Sequence, residues 1–254
     1  MLKSKPLPVP DEHVPANLQA PVERRTFLRY GSAALALTGL ALAGCAKDPA
    51  DDLELNAVTS QDEGTNALVD VGTGDFGVLN YAYALEQLES AFYAQVLAGS
   101  YHLRASAAEN YALYDIHEHE LVHRDFFKAA IAALGGTPIP NLAPDFSGID
   151  FDSRTSVLTA ARTFEDLGVA AYNGAGPLLR SPELLAIAGK IVSVEARHAA
   201  LIRDIIQDGT FVGPDVVDLR TGLNQSLRPA QVVAQANRFL QPGSKLNVSG
   251  LSRG

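Results

Sequence analysis

Two stretches of the chain carry Glu-x-x-His, as Glu120 with His123 and Glu195 with His198. Residues three apart on a helix project to the same side, so each pair offers one carboxylate and one imidazole to a common point. Two other stretches carry a Glu followed seven residues later by a Tyr, as Glu86 with Tyr93 and Glu165 with Tyr172. In chain order the two motifs alternate, and the alternation occurs twice, as expected of a site with approximate two-fold symmetry. Four carboxylates and two imidazoles are donors that a pair of divalent metals can take up and whose charge it neutralises.

These residues need elements to position them. Residues 76–99 hold no Pro or Gly between Gly77 and the closing Gly99, and Leu79, Ala82, Glu86, Tyr93 and Leu97 fall on one face by three- and four-residue steps. Residues 105–136 end at Gly135-Gly136 and carry the stripe Ile116, Glu120, His123, Phe127, Ile131 and Leu134. A third segment, 155–179, puts Leu158, Ala161, Glu165, Tyr172 and Gly176 in phase. The fourth starts at Ser181-Pro182-Glu183, an N-cap followed by Pro at the first helical position. It runs to about residue 207 with Ala188, Ile191, Glu195, His198, Ile202 and Ile205 on one face. Each stripe is apolar except where it carries Glu or His. A charge in such a stripe costs several kcal/mol unless paired or metal-bound. Six such residues on four helices call for one shared explanation.

Between the second and third segments, residues 135–153 hold three prolines and no periodicity. Extended chain of that length reaches roughly 60 Å at about 3.3 Å per residue, which exceeds the roughly 30 Å of a twenty-residue helix. The loop can therefore cross the outside of the bundle, so that the third helix starts at the same end as the second. The expected fold is all-α, a four-helix bundle over residues 76–207 with a long crossover. Residues 208–254 form an extension, with a short helix near 228–240 packing on the bundle.

Several neighbours compete for roles. Glu89 rivals Glu86, but only Glu86 keeps the seven-residue step to a Tyr, and Gly168 occupies the place in the third segment that matches Glu89. His119 and His123 are spaced as a metal pair, yet only Glu120 with His123 mirrors the fourth segment; His117, Glu118 and His119 read as a solvated face. Tyr93 and Tyr172 would lie beside the site, as packing residues with bonded hydroxyls or in a supporting catalytic role. Asp125 and Asp166 are candidates to orient a ligating imidazole through its other nitrogen.

Residues 24–45, RRTFLRYGSAALALTGLALAGC, pair two arginines with an apolar run too short to span a bilayer. They resemble a twin-arginine translocation signal ending in a lipobox, Leu42-Ala43-Gly44-Cys45. That resemblance implies a signal peptide over 1–44, lipid on the Cys45 sulfur, and an exported bacterial lipoprotein on the periplasmic side or cell surface, anchored by lipid alone. Residues 45–75 read as an acidic, flexible tether. Cys45 is the one cysteine, which excludes disulfides and a thiolate metal site. The net charge is −9; residues 1–44 hold five Lys/Arg against three Asp/Glu, which leaves −11 on the remainder and excludes nucleic-acid binding.

The alternating motifs, with LEQLESAFY, ELVHRDFF, FEDLGVAAYNGAGPLL and VEARHAALI, resemble the ferritin-like superfamily, and more narrowly its bacterial members related to desiccation-associated proteins. The resemblance covers about residues 76–240. It implies two bridging and two terminal carboxylates among Glu86, Glu120, Glu165 and Glu195, with one of His123 and His198 on each metal. It further implies two Fe ions, or alternatively two Mn. The expected chemistry is that of a di-iron oxidoreductase acting on O2 or peroxide, or oxidising Fe(II), in stress protection. The alternatives are a catalase-like dimanganese peroxide scavenger and a non-enzymatic desiccation protein with a structural metal. The extensions and the anchor favour a monomer or small homo-oligomer over a storage shell.

Overall fold

The computed structural model describes residues 67–251. The expected signal peptide, Cys45 and the tether up to residue 66 lie outside the described residues. The helices are α1 (Gly74–Ala98), the short α2 (Ser100–Arg104), α3 (Ala107–Ala133), α4 (Arg154–Ala175), α5 (Pro182–Ile206) and α6 (Pro229–Ala236). Their starts are chemically marked. The side chains of Ser106, Ser153 and Ser181 accept from the backbone N–H groups of Glu109, Ser156 and Leu184, which caps α3, α4 and α5. α3 ends where Gly135 takes φ +86°. Gly135 then donates to the Ala132 carbonyl and Gly136 to that of Ile131, an arrangement that needs the left-handed conformation glycine tolerates.

α1 packs chiefly on α3 and α4 chiefly on α5, and the two pairs face one another across the core. The path of residues 135–153 follows from its bonds. Near the start of α1, Asn80 donates to the Thr137 carbonyl and accepts from Ile139 N–H. One stretch further along, Gln87 accepts from Leu142 N–H and donates to the Pro140 carbonyl. Just past the end of α1, Tyr101 N–H donates to the Phe151 carbonyl, and Ser100 bonds Asp152. The segment thus runs the full length of α1, and α4 begins at the end where α3 began: Arg154 reaches Glu109 of α3 at 2.8 Å. Phe92 anchors the same track through Phe146 and Phe164, at ring separations of 6.0 and 4.9 Å, and Phe164 contacts Phe239 of the C-terminal segment at 4.7 Å.

Some boundaries differ from the sequence reading. Residues 67–75 are not tether: β1 (Val69–Asp70) pairs in parallel with β2 (Leu246–Asn247), Val71 is buried, and α1 starts at Gly74. These few apolar residues gain order only from a partner far away in sequence, so local composition hid them. The third helix stops at Ala175 and tightens into a 3-10 turn, Gly176–Leu178, because Pro177 cannot donate the next backbone bond. The C-terminal residues lie on the bundle through Leu227 N–H to the Ala170 carbonyl and through fully buried Val232 and Ala236.

Asn80 ties three strands of chain together, since its amide also donates to the Val71 carbonyl. Asn80→Ala therefore leaves the Ile139 N–H without its acceptor, and we expect a loss of about 1–3 kcal/mol in urea unfolding. Amide exchange at Ile139 should accelerate in the same variant. Unchanged stability and exchange would show that the crossover is held without this side chain.

Candidate metal centre

Glu86 from α1, Glu120 and His123 from α3, Glu165 from α4, and Glu195 and His198 from α5 converge in the middle of the bundle. All four carboxylates are 0% exposed. Their donor atoms fall into two overlapping groups, Glu86, Glu120, His123 and Glu195 in one, Glu120, Glu165, Glu195 and His198 in the other, each group within 4.8 Å. Glu120 and Glu195 belong to both. Glu120 presents Oε1 to His198 Nδ1 at 2.7 Å and Oε2 to His123 Nδ1 at 3.7 Å. Glu195 presents Oε1 to His123 Nδ1 at 2.9 Å and Oε2 to His198 Nδ1 at 3.8 Å.

The terminal carboxylates are held differently. The Tyr93 hydroxyl on α1 donates to Glu165 Oε1 on α4 at 2.5 Å, and the Tyr172 hydroxyl on α4 donates to Glu86 Oε1 on α1. The seven-residue step from Glu to Tyr thus serves a swap across the two-fold, each tyrosine gripping the other helix's glutamate. Each grip leaves one carboxylate oxygen, Glu86 Oε2 or Glu165 Oε2, without a hydrogen-bond partner. Both oxygens of Glu120 and of Glu195 lack a well-aligned one too, as do the Nδ1 atoms of His123 and His198, which meet those oxygens only as ion pairs at 2.7 to 3.8 Å. Buried polar atoms are nearly always hydrogen-bonded, so eight such atoms around one point form a group that could hold metal. Their division fits two cations: two oxygens free on each shared carboxylate, one on each terminal carboxylate, and one nitrogen on each imidazole.

The electrostatics of the metal-free protein point the same way. Burial lifts the Glu86 carboxyl to about 7 and pushes Glu195 well above the usual carboxylate range, with the neighbouring Glu120 adding to both. Burial raises Glu165 as well. For Glu120 burial alone would do the same, but His123 and His198 bracket it and hold it down to about 2. Burial would lower the imidazoles, yet the carboxylates around them win, lifting His123 to about 12 and His198 to about 10. Each of these shifts except that of Glu120 favours the protonated form when cations are absent.

Three neighbours sit where the sequence reading did not put them. His119 is not merely part of a solvated face: its Nδ1 lies 2.9 Å from Nε2 of His198. Asp166 does not orient a histidine, because Arg203 holds both its oxygens, at 2.8 and 2.7 Å. Asp125 is taken at the surface by its neighbour Arg124. Glu89 is buried but belongs to neither donor group. Its carboxylate occupies space that a side chain at position 168 would fill, since a Cβ on Gly168 would come within 3.0 Å of Glu89 Oε1. Burial, then the charges of Glu120 and Glu195, push the Glu89 carboxyl well above its ordinary range. His117 and Glu118 pair with each other at the surface, 3.2 Å apart. The missed partnership of His119 had a signal in the sequence, since it directly precedes Glu120 and shares a helix face with His123.

Comparison with known proteins bears on the same helices. No curated protein matches the chain significantly. Among solved structures, that of a conserved hypothetical protein, rv2844, from Mycobacterium tuberculosis is similar at 19% identity and a TM-score of 0.45, covering 51% of this chain and 87% of that one. The family model described as ferritin-like domain matches residues 74–208. That span takes in the four long helices and all six converging residues, and the chain belongs to the ferritin-like domain family.

Proposed function

We propose that the chain is a di-iron carboxylate protein that carries out redox chemistry on O2 or peroxide in stress protection. The observation that carries this reading is the division of the buried orphan atoms, which matches two ions sharing two carboxylates. Glu86, His123 and one oxygen each of Glu120 and Glu195 would hold one ion. Glu165, His198 and the remaining oxygens of Glu120 and Glu195 would hold the other. Ligation rich in oxygen with one imidazole per ion suits iron or manganese. When bound, such a pair supplies the electrons for a two-electron change in O2 or peroxide.

The chain's own residues prepare the site for small substrates. Tyr93 and Tyr172 fix the terminal carboxylates, and burial, then the charges of Glu165 and Glu86 respectively, keeps both phenols protonated. The surrounding Leu, Ile and Phe side chains exclude bulk water, which strengthens each of these interactions. The histidine edge is where the ligand set meets solvent, with the His123 side chain 12% exposed.

Metal analysis of protein from its own export route tests the reading, together with O2 and peroxide turnover assays. Two Fe per chain with reductant-dependent O2 consumption supports it. Two Mn with peroxide disproportionation replaces it with a catalase-like activity. No turnover, with stability unchanged by chelation, overturns both and a structural metal with them.

Three further outcomes are expected. Glu165→Ala should lower the metal content from two per chain toward one, whereas Glu195→Ala, which strips oxygens from both positions, should lower it toward none; equal content in both variants would refute the shared-carboxylate assignment. Metal affinity should rise with pH. Around neutrality the metal-free protein keeps protons on His123 and His198, at about 12 and about 10, and partly on Glu86, at about 7. Metal must displace those protons, so affinity climbs roughly tenfold or more per pH unit between about pH 6 and 8, with proton release in calorimetry; a flat profile contradicts this. The export reading also belongs to the proposal, and the resemblance of residues 42–45 to a lipobox puts the anchor at Cys45. Cys45→Ser should move the protein from the membrane to the soluble fraction, and retention in the membrane would count against lipidation.

A further inference from the structure

The two-fold relation maps α1 onto α4 and α3 onto α5, and it pairs Glu86 with Glu165, Tyr93 with Tyr172, Glu120 with Glu195, and His123 with His198. It breaks one residue before each shared carboxylate, where His119 precedes Glu120 but Val194 precedes Glu195. His119 Nδ1 lies 2.9 Å from His198 Nε2, with the two ring planes 12° apart and their centroids separated by 5.1 Å, an edge-to-edge arrangement that suits a ring-to-ring hydrogen bond. His198 meanwhile turns Nδ1 toward Glu120 and Glu165, at 2.7 and 3.6 Å.

We infer that His119 is a positioning residue that makes the two metal positions unequal, so that the Glu165/His198 position fills first and more tightly. The inference rests on the two-metal reading above. An imidazole that offers its Nδ1 lone pair to a metal carries its ring proton on Nε2. In His198 that N–H is placed to donate to His119 Nδ1, 2.9 Å away, which holds the ring plane before any metal arrives and leaves Nδ1 as the nitrogen that gives up its proton to the metal. A bonded outer nitrogen raises ligand basicity, and losing such a partner typically weakens metal binding by about 10–100-fold. For His123 the matching residue is Val194, whose side chain has no acceptor. The His123 side chain is also more exposed than that of His198, 12% against 5%. The Glu86/His123 position is therefore the looser and more exchangeable of the two.

The test is a titration of the metal-free full chain with Mn(II) alone, reading free Mn(II) by electron paramagnetic resonance. The expected wild-type isotherm has two affinities separated by about 10–100-fold. His119→Ala should weaken the tighter step and merge the two. His119→Gln should restore part of the separation, since its carboxamide oxygen can accept from Nε2–H. Val194→His should tighten the weaker step. His119 sits at the exposed seam, so thermal melting of the metal-free variants should match wild type; should His119→Ala fail to fold, the Gln and Val194→His isotherms decide the matter. Two Mn(II) bound with a single affinity in wild type, or a separation that survives His119→Ala, overturns the inference while leaving the two-metal site standing. No Mn(II) bound by wild type removes both.

Discussion

Glu86, Glu120, Glu165 and Glu195 meet at zero exposure, beside two imidazoles that supply two positive charges at most. Like charges a few ångströms apart repel strongly once water is removed, and each buried ion also loses several kcal/mol of hydration. Protons can relieve that repulsion, as the raised Glu86, Glu165 and Glu195 carboxyls show. Two divalent cations would relieve it more completely, because they would coordinate the oxygens of all four carboxylates at once. Most of the bundle is arranged around that constraint. The apolar stripes above and below the charges hold the helices in register, and Tyr93 and Tyr172 fix Glu165 and Glu86.

Register between the helix pairs matters because each ligand group draws on both of them. His123 of α3 lies closest to Glu195 of α5, and His198 of α5 closest to Glu120 of α3. A slip of one pair along the other would separate both contacts. The crossover opposes such a slip, since it is bonded to Asn80, to Gln87 and to the chain just past α1 before it delivers α4. Arg203 adds a second clamp, with Asp166 of α4 on one side and Asp215 of the C-terminal segment on the other.

The helices and the six converging residues were legible in the sequence because both depend on local spacing. A Glu-x-x-His pair or an apolar stripe repeats at the period of the helix, so position along the chain translates directly into position on a face. The Ser181 cap was legible for the same reason. What was hidden depends on segments distant in sequence. Asn80 and Gln87 look like ordinary surface amides until a crossover fifty residues away is laid against them. Val69 and Asp70 gain a strand partner only from Leu246 and Asn247. His119 reads as solvent-facing on its own helix, and its partner lies on another. Asp166 illustrates the converse: its place beside Glu165 suggested service to a histidine, while Arg203 offered a stronger, bidentate partner.

Two departures from symmetry beside the centre run in one direction. α1 brings Glu89 where α4 has Gly168, and α3 brings His119 where α5 has Val194. Both additional polar groups come from the first helix pair, and both lean toward the second. His119 bonds the outer nitrogen of His198. Glu89 fills the space that Gly168 leaves open, and the missing Cβ there would sit 3.8 Å from Glu195 Oε2. The second pair answers with smallness rather than chemistry, since a glycine admits the carboxyl and a valine adds no donor. The centre is thus two-fold in its converging carboxylates and imidazoles and one-sided in the two groups behind them. In a site where each shared carboxylate touches both positions, supports on one side alone are enough to make the positions chemically different.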